Sequence, residues 1–87
     1  MKLSEVNIGK LIKDIEFDWV GLTAEEYEGK RVLTFLNDIK YLKEIERNKT
    51  ITGIITIEEV ARELLDTDYG ILVVDNPRKS FFYFITN

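Results

Sequence analysis

The chain has 87 residues, 45% hydrophobic and 32% charged, a composition that folds as one small globular domain and not as a disordered tail. Twelve basic against sixteen acidic side chains give a net charge of −4, which repels phosphate polymers and leaves no broad footprint for DNA or RNA. Without cysteine or histidine the chain has no disulfide, no thiolate nucleophile, no imidazole base and no zinc site built on these ligands.

Leu3, Val6, Leu11 and Ile12 allow a short helix after Ser4, which Gly9 would keep brief. MKLSEVNIGK carries a lysine but no signal-peptide apolar region, and no apolar run approaches the roughly 18–20 residues of a membrane span. Cytoplasmic location without membrane insertion is the expectation. From Ile15 to Val20, Ile15, Phe17 and Trp19 alternate with Glu16 and Asp18 as in a strand with one wet face, which Gly21 ends.

The connection TAEEYEGK is acidic; Glu25, Glu26 and Glu28 lack the spacing of a calcium loop and read as a solvated charge run. A regular series follows: an apolar run Val32 to Leu36, a helix from Asp38 to Arg47, a run Ile51 to Ile57, and a helix Glu58 to Leu65 with Val60, Ala61, Leu64 and Leu65 as its stripe. Gly53 inside its run marks a bulge or close packing. A third run, Gly70 to Val74, precedes a last helix opened by Asn76 as cap and Pro77 as first helical residue. The nearly continuous β-branched runs are those of strands buried on both faces. Strands separated by helices predict an α/β fold with a small, mostly parallel sheet built from successive βαβ units, a single domain spanning 1–87.

In such sheets ligands collect beyond the carboxyl ends of the strands, where this chain offers Phe35, Asn37, Asp38, Thr56, Ile57, Glu58, Asp75 and Asn76. Tyr41 lies about one turn further on and leans toward the same rim. Phe35 and Tyr41 are either ordinary core or a platform on which a flat ring stacks, a contact worth about 1–3 kcal/mol per base. Rossmann, P-loop and serine-hydrolase signatures are lacking, and neither a cofactor nor a metal is expected.

TFLNDIKYLKEIERNKTITGIITIEEV followed by ILVVDNPRKSFFYF resembles the uridine-nucleotide-binding N-terminal domain of UDP-3-O-acylglucosamine N-acyltransferases, over roughly residues 20 to 85. The resemblance implies a fold like the N-terminal domain of Mur ligases. It also implies a uracil held between Phe35 and Tyr41, with the base edge read by Asp38 or Asn37; Asn76, from its place at a strand end, joins these as a candidate ligand-binding residue. The family's asparagine falls at Asp38, whose carboxylate cannot donate to a uracil carbonyl. These enzymes place catalysis in a following hexapeptide-repeat domain, so the resemblance implies an accessory UDP-sugar-binding domain of a sugar acyltransferase with no catalytic residue in this chain. The alternative is an interaction or oligomerisation module with a vestigial ligand rim. Phe81, Phe82, Tyr83, Phe84 and Ile85 surround a whole helical turn, more than one sheet can cover, and lead us to expect a following domain or second chain against them.

Overall fold

The computed structural model describes residues 1–23 and 25–86. Among these, five strands form one sheet: β1 (Lys10–Lys13), β2 (Trp19–Val20), β3 (Val32–Leu36), β4 (Ile51–Thr56) and β5 (Gly70–Val73). Their order is β1-β5-β4-β3-β2, with β2 through β5 parallel and β1 antiparallel to β5. Helices α1 (Leu42–Arg47), α2 (Glu58–Glu63) and α3 (Pro77–Thr86) follow β3, β4 and β5. The protein is therefore α/β with a mixed, mostly parallel sheet.

Alternation along the central strands divides the core in two. Val32, Ile54 and Ile71 face α1 and α2, where they meet Ile45, Val60 and Leu64. Leu33, Ile55 and Leu72 face the other way, onto Leu3, Phe17 and Phe81 of the N-terminal segment and α3. Each such fully buried aliphatic side chain stabilises the fold by about 1.5–3 kcal/mol. Gly53 sits at an irregularity: Val32 pairs with Ile51 but Leu33 pairs with Gly53, and a Cβ there would lie 3.1 Å from Leu33 Cδ1. Bulge and close packing therefore coincide at this residue.

Both expected caps form. Asp38 accepts from the Lys40 N–H at 3.0 Å and Asn76 from the Lys79 N–H at 3.1 Å. The helix expected over 38–47 is divided, a 3-10 turn at Ile39–Tyr41 leading into α1. Leu65, counted in the apolar stripe, lies beyond α2 and is 51% exposed.

The N-terminal part departs furthest from expectation. Only Leu3–Glu5 forms a 3-10 turn; Leu11 and Ile12 belong to the edge strand β1. Asn7, at φ 55°, turns the chain, and Gly9 passes so close to β5 that a Cβ would sit 2.2 Å from the Val73 carbonyl oxygen. The strand expected over Ile15 to Val20 is reduced to Trp19–Val20, because the segment changes partner midway. Leu3 N–H donates to Ile15 O and Phe17 N–H to Met1 O, whereas Asp18 and Trp19 N–H both donate to Arg31 O. The expected single face splits accordingly: Phe17 is buried and Trp19 half exposed.

Arg31 fastens this edge. Its guanidinium donates to both carboxylate oxygens of Asp18, each at 2.9 Å, and to Glu16 at 3.1 Å. The Arg31 side-chain hydrogen bonds, reinforced by its backbone N–H, hold the Asp18 carboxyl well below the usual carboxylate range. Asp14 is likewise lowered, first by the Ser4 backbone N–H. A carboxyl whose folded pKa is depressed stabilises the fold above its unfolded value, here 3.8, and that contribution is lost as pH falls toward the folded value. We expect the thermal midpoint to fall on acidification from pH 5 to pH 2, and Asp18→Asn to start lower at pH 7 and fall less, as followed by circular dichroism melts.

Candidate functional site

Parallel strands with crossover helices leave the carboxyl ends of β3, β4 and β5 along one rim of the sheet. At the end of β3 a cleft of about 300 Å³ opens between the strand, the start of α1 and the β2–β3 connection. Thr34, Phe35, Leu36 and Asn37 form one wall, Tyr41 and Glu44 a second, Leu22 and Thr23 the third. Asp38, by capping the 3-10 turn, leads the chain into α1 so that Tyr41 lines the same cleft as Phe35.

The third wall is positioned by Asn48, buried just past α1. Its Nδ2 donates to the carbonyls of Thr23 and Glu25, and its Oδ1 accepts from the N–H and hydroxyl of Thr50. Thr23 Oγ1 adds a bond to Glu44 Oε2 at 3.1 Å. The described residues of this connection, none of them in helix or strand, are thereby held against α1. The cleft continues past Thr23 and Glu44 into a depression of about 290 Å³ bordered by Glu26, Arg47 and Asn48.

Phe35 and Tyr41 differ in their surroundings. Phe35 is partly buried on the α3 face, its ring centroid 4.9 Å from that of Phe81 and 5.9 Å from that of Phe82. Tyr41 is 46% exposed, with Lys40 Nζ 5.1 Å from its ring centroid. Tyr41 is therefore a surface residue of the rim, and Phe35 is shared between the cleft and the core beneath α3.

Of the remaining residues singled out in the sequence, Asn37 lines this cleft and also a second one. That neighbour, about 480 Å³, lies between the ends of β3 and β4 and is bordered by Asp38, Ile39, Ile57, Glu59 and Glu63. Asp38 thus faces the neighbouring cleft, with one carboxylate oxygen engaged by its own turn. Among the described residues no group of carboxylates is arranged to hold a metal ion. Asn76 borders neither cleft, and its side-chain oxygen is engaged in starting α3.

Five lining residues escaped the sequence reading: Leu22, Thr23, Thr34, Leu36 and Glu44. Glu44 was legible in principle, three residues beyond Tyr41 and so on the same side of a helix. Thr34 was legible as the one polar residue within the apolar run Val32 to Leu36. Leu22 carried no signal, since its place depends on the Asn48 contacts.

Another apolar cleft, about 570 Å³, runs between β2 and the end of α3 and is lined by Met1, Phe17, Trp19, Phe84 and Ile85, among others. Phe81, expected on an outward contact face, is buried in the core, whereas Phe82, Tyr83 and Ile85 are 40%, 66% and 41% exposed. Comparison with protein-family models, curated proteins and solved structures found no match for the chain.

The contrast between the two aromatics has a measurable consequence. Phe35→Ala should destabilise the protein by about 3 kcal/mol, the low end for truncating a packed aromatic. Tyr41→Ala should cost about 1 kcal/mol or less, since half of the residue is already in water. Urea unfolding followed by the fluorescence of the single tryptophan, Trp19, measures both.

Proposed function

We propose that the chain binds a uridine nucleotide-sugar in the cleft at the end of β3, as an accessory domain of a cytoplasmic sugar acyltransferase with a Mur-ligase N-terminal-like fold. The observation that carries this reading is that Phe35, Asn37 and Tyr41, far from adjacent in an extended chain, line one cleft whose most open ring is Tyr41. The base stacks on Tyr41, Phe35 contributes to the strand wall of the cleft, and the Asn37 amide, which can both donate and accept, meets the edge of the ring. Stacking displaces Lys40 from the Tyr41 ring and leaves its ammonium for the phosphates. Asp38 stays outside the base contact, which removes the difficulty that a carboxylate presents to a uracil carbonyl. By the resemblance on which this reading rests, acyl transfer belongs to a separate hexapeptide-repeat domain with a histidine base, a residue type this chain lacks.

A titration with UDP-N-acetylglucosamine, followed by amide chemical shifts, tests the reading. Shifts should concentrate at Phe35, Asn37 and Tyr41, and their absence at millimolar ligand would overturn it. Tyr41→Ala should weaken binding by about 1–3 kcal/mol, and Tyr41→Phe, which keeps the ring face, should leave affinity nearly unchanged.

A second reading is favoured by the exposed Phe82, Tyr83 and Ile85 beside the apolar cleft at Trp19. In it a second copy of this chain covers the surface shared by α3 and β2, and the domain is an interaction module that ignores nucleotides. Sedimentation equilibrium separates the two: the module should form a dimer that Trp19→Lys dissociates, and a monomer at all concentrations would exclude it.

A further inference from the structure

Thr34 is completely buried, yet its Oγ1 has no hydrogen-bond partner; among the described residues no other buried side-chain nitrogen or oxygen is left so. Leaving a buried hydroxyl unpaired is unfavourable, and folded proteins rarely tolerate it without cause. This chain pairs its other threonines well. Thr56, equally buried on the adjacent strand, donates to the Leu36 carbonyl at 2.6 Å, and Thr67 donates to Leu64 O at 2.6 Å. Valine at 34 would fill the same volume, suit a strand equally well and leave nothing unpaired. Thr34 instead lines the cleft that also holds Asn37 and Tyr41.

We propose that Thr34 is the deep polar anchor of this cleft, its hydroxyl donating to a carbonyl oxygen on the ring that stacks on Tyr41. The inference rests on the nucleotide reading above and adds to it which edge of the ring enters first. A buried hydroxyl proton without an acceptor calls for an acceptor that projects far enough to reach it, which an exocyclic carbonyl oxygen does and a nitrogen within the ring, such as those of adenine, does not. Uracil carries two ring carbonyl oxygens, cytosine one and adenine none. With Thr34 taking the inner carbonyl and Asn37 the outer part of the same edge, the cleft favours uracil over adenine through hydrogen bonding, although both rings stack. Less than 1 Å² of Oγ1 is exposed, so cleft side chains must turn aside as the ring enters. Leu22 and Tyr41, each about half exposed, line the cleft and have room to do so.

The test uses the whole chain with UMP and AMP as probes, binding followed by amide shifts and stability by thermal melts. Thr34→Val should melt at or above the wild-type temperature while binding UMP about three- to tenfold more weakly, the loss of one neutral hydrogen bond. Its AMP affinity should not change, and Thr34→Ser should keep UMP binding within about twofold of wild type. Should the valine variant melt lower, the serine and alanine variants decide, since they differ only in the hydroxyl: UMP must then bind Thr34→Ser more tightly by that same factor. Unchanged UMP binding in Thr34→Val, alongside weakened binding in Tyr41→Ala, would make Thr34 a packing residue and leave the nucleotide reading standing. No response of the wild-type chain to either UMP or UDP-N-acetylglucosamine would overturn both.

Discussion

The parallel pairing of β3, β4 and β5, buried on both faces, is the constraint on which the rest of this structure depends. A parallel neighbour cannot be reached by a tight turn, so each strand must be followed by a crossover. Three consequences follow from that one requirement. The apolar runs must be continuous, since both faces are covered. The helices must supply the cover. The carboxyl ends of all three strands must open on the same rim, bringing residues distant in sequence within reach of one ligand.

The rim is completed by polar contacts from outside the sheet. The Asn48 amide, through two carbonyls, and the Thr23 hydroxyl on Glu44 tie the β2–β3 connection to α1 and the residue that follows it. At the outer edge, the Arg31 fork on Asp18 and Glu16 secures β2, which has only two residues in the ladder. That ion pair is exposed, and its value lies in fixing the path of the edge more than in stabilising the fold as a whole. The two devices hold opposite ends of the connection that forms the third wall of the cleft.

Within the cleft, chemistry and packing are separated along a single strand. Thr34 and Phe35 are adjacent, so their side chains leave opposite faces of the sheet. Phe35 is drawn into the aromatic cluster beneath α3 and lends rigidity to the wall. Thr34 brings a hydroxyl to the α1 side, where the cleft opens. Tyr41, set by the capped turn, stays in water. The cleft is thus bordered by one packed ring, one open ring and a buried hydroxyl-bearing residue.

The sequence by itself determined the repeating part of this protein. Continuous β-branched runs at Val32, Ile51 and Gly70, the stripe at Val60, Ala61 and Leu64, and the caps Asp38 and Asn76 are local signals, and local signals suffice for parallel strands and their helices. They also sufficed to bring Phe35, Asn37 and Tyr41 to one end of one strand. What only the tertiary structure decided is whatever depends on a distant partner. Leu11 and Ile12 are in a strand because Gly9 can pass close to Val73, and the run from Ile15 to Val20 is divided because Met1 and Leu3 compete with Arg31 for its backbone. The different burial of Phe35 and Tyr41 was invisible for the same reason: it is set by Phe81 and Phe82, more than forty residues away. Asp38 lay in a recognisable place, but which of two clefts it faces depends on how β4 and α2 pack beside it. An unpaired hydroxyl such as that of Thr34 is defined only by the absence of partners in three dimensions, a property that no pattern along the chain can carry.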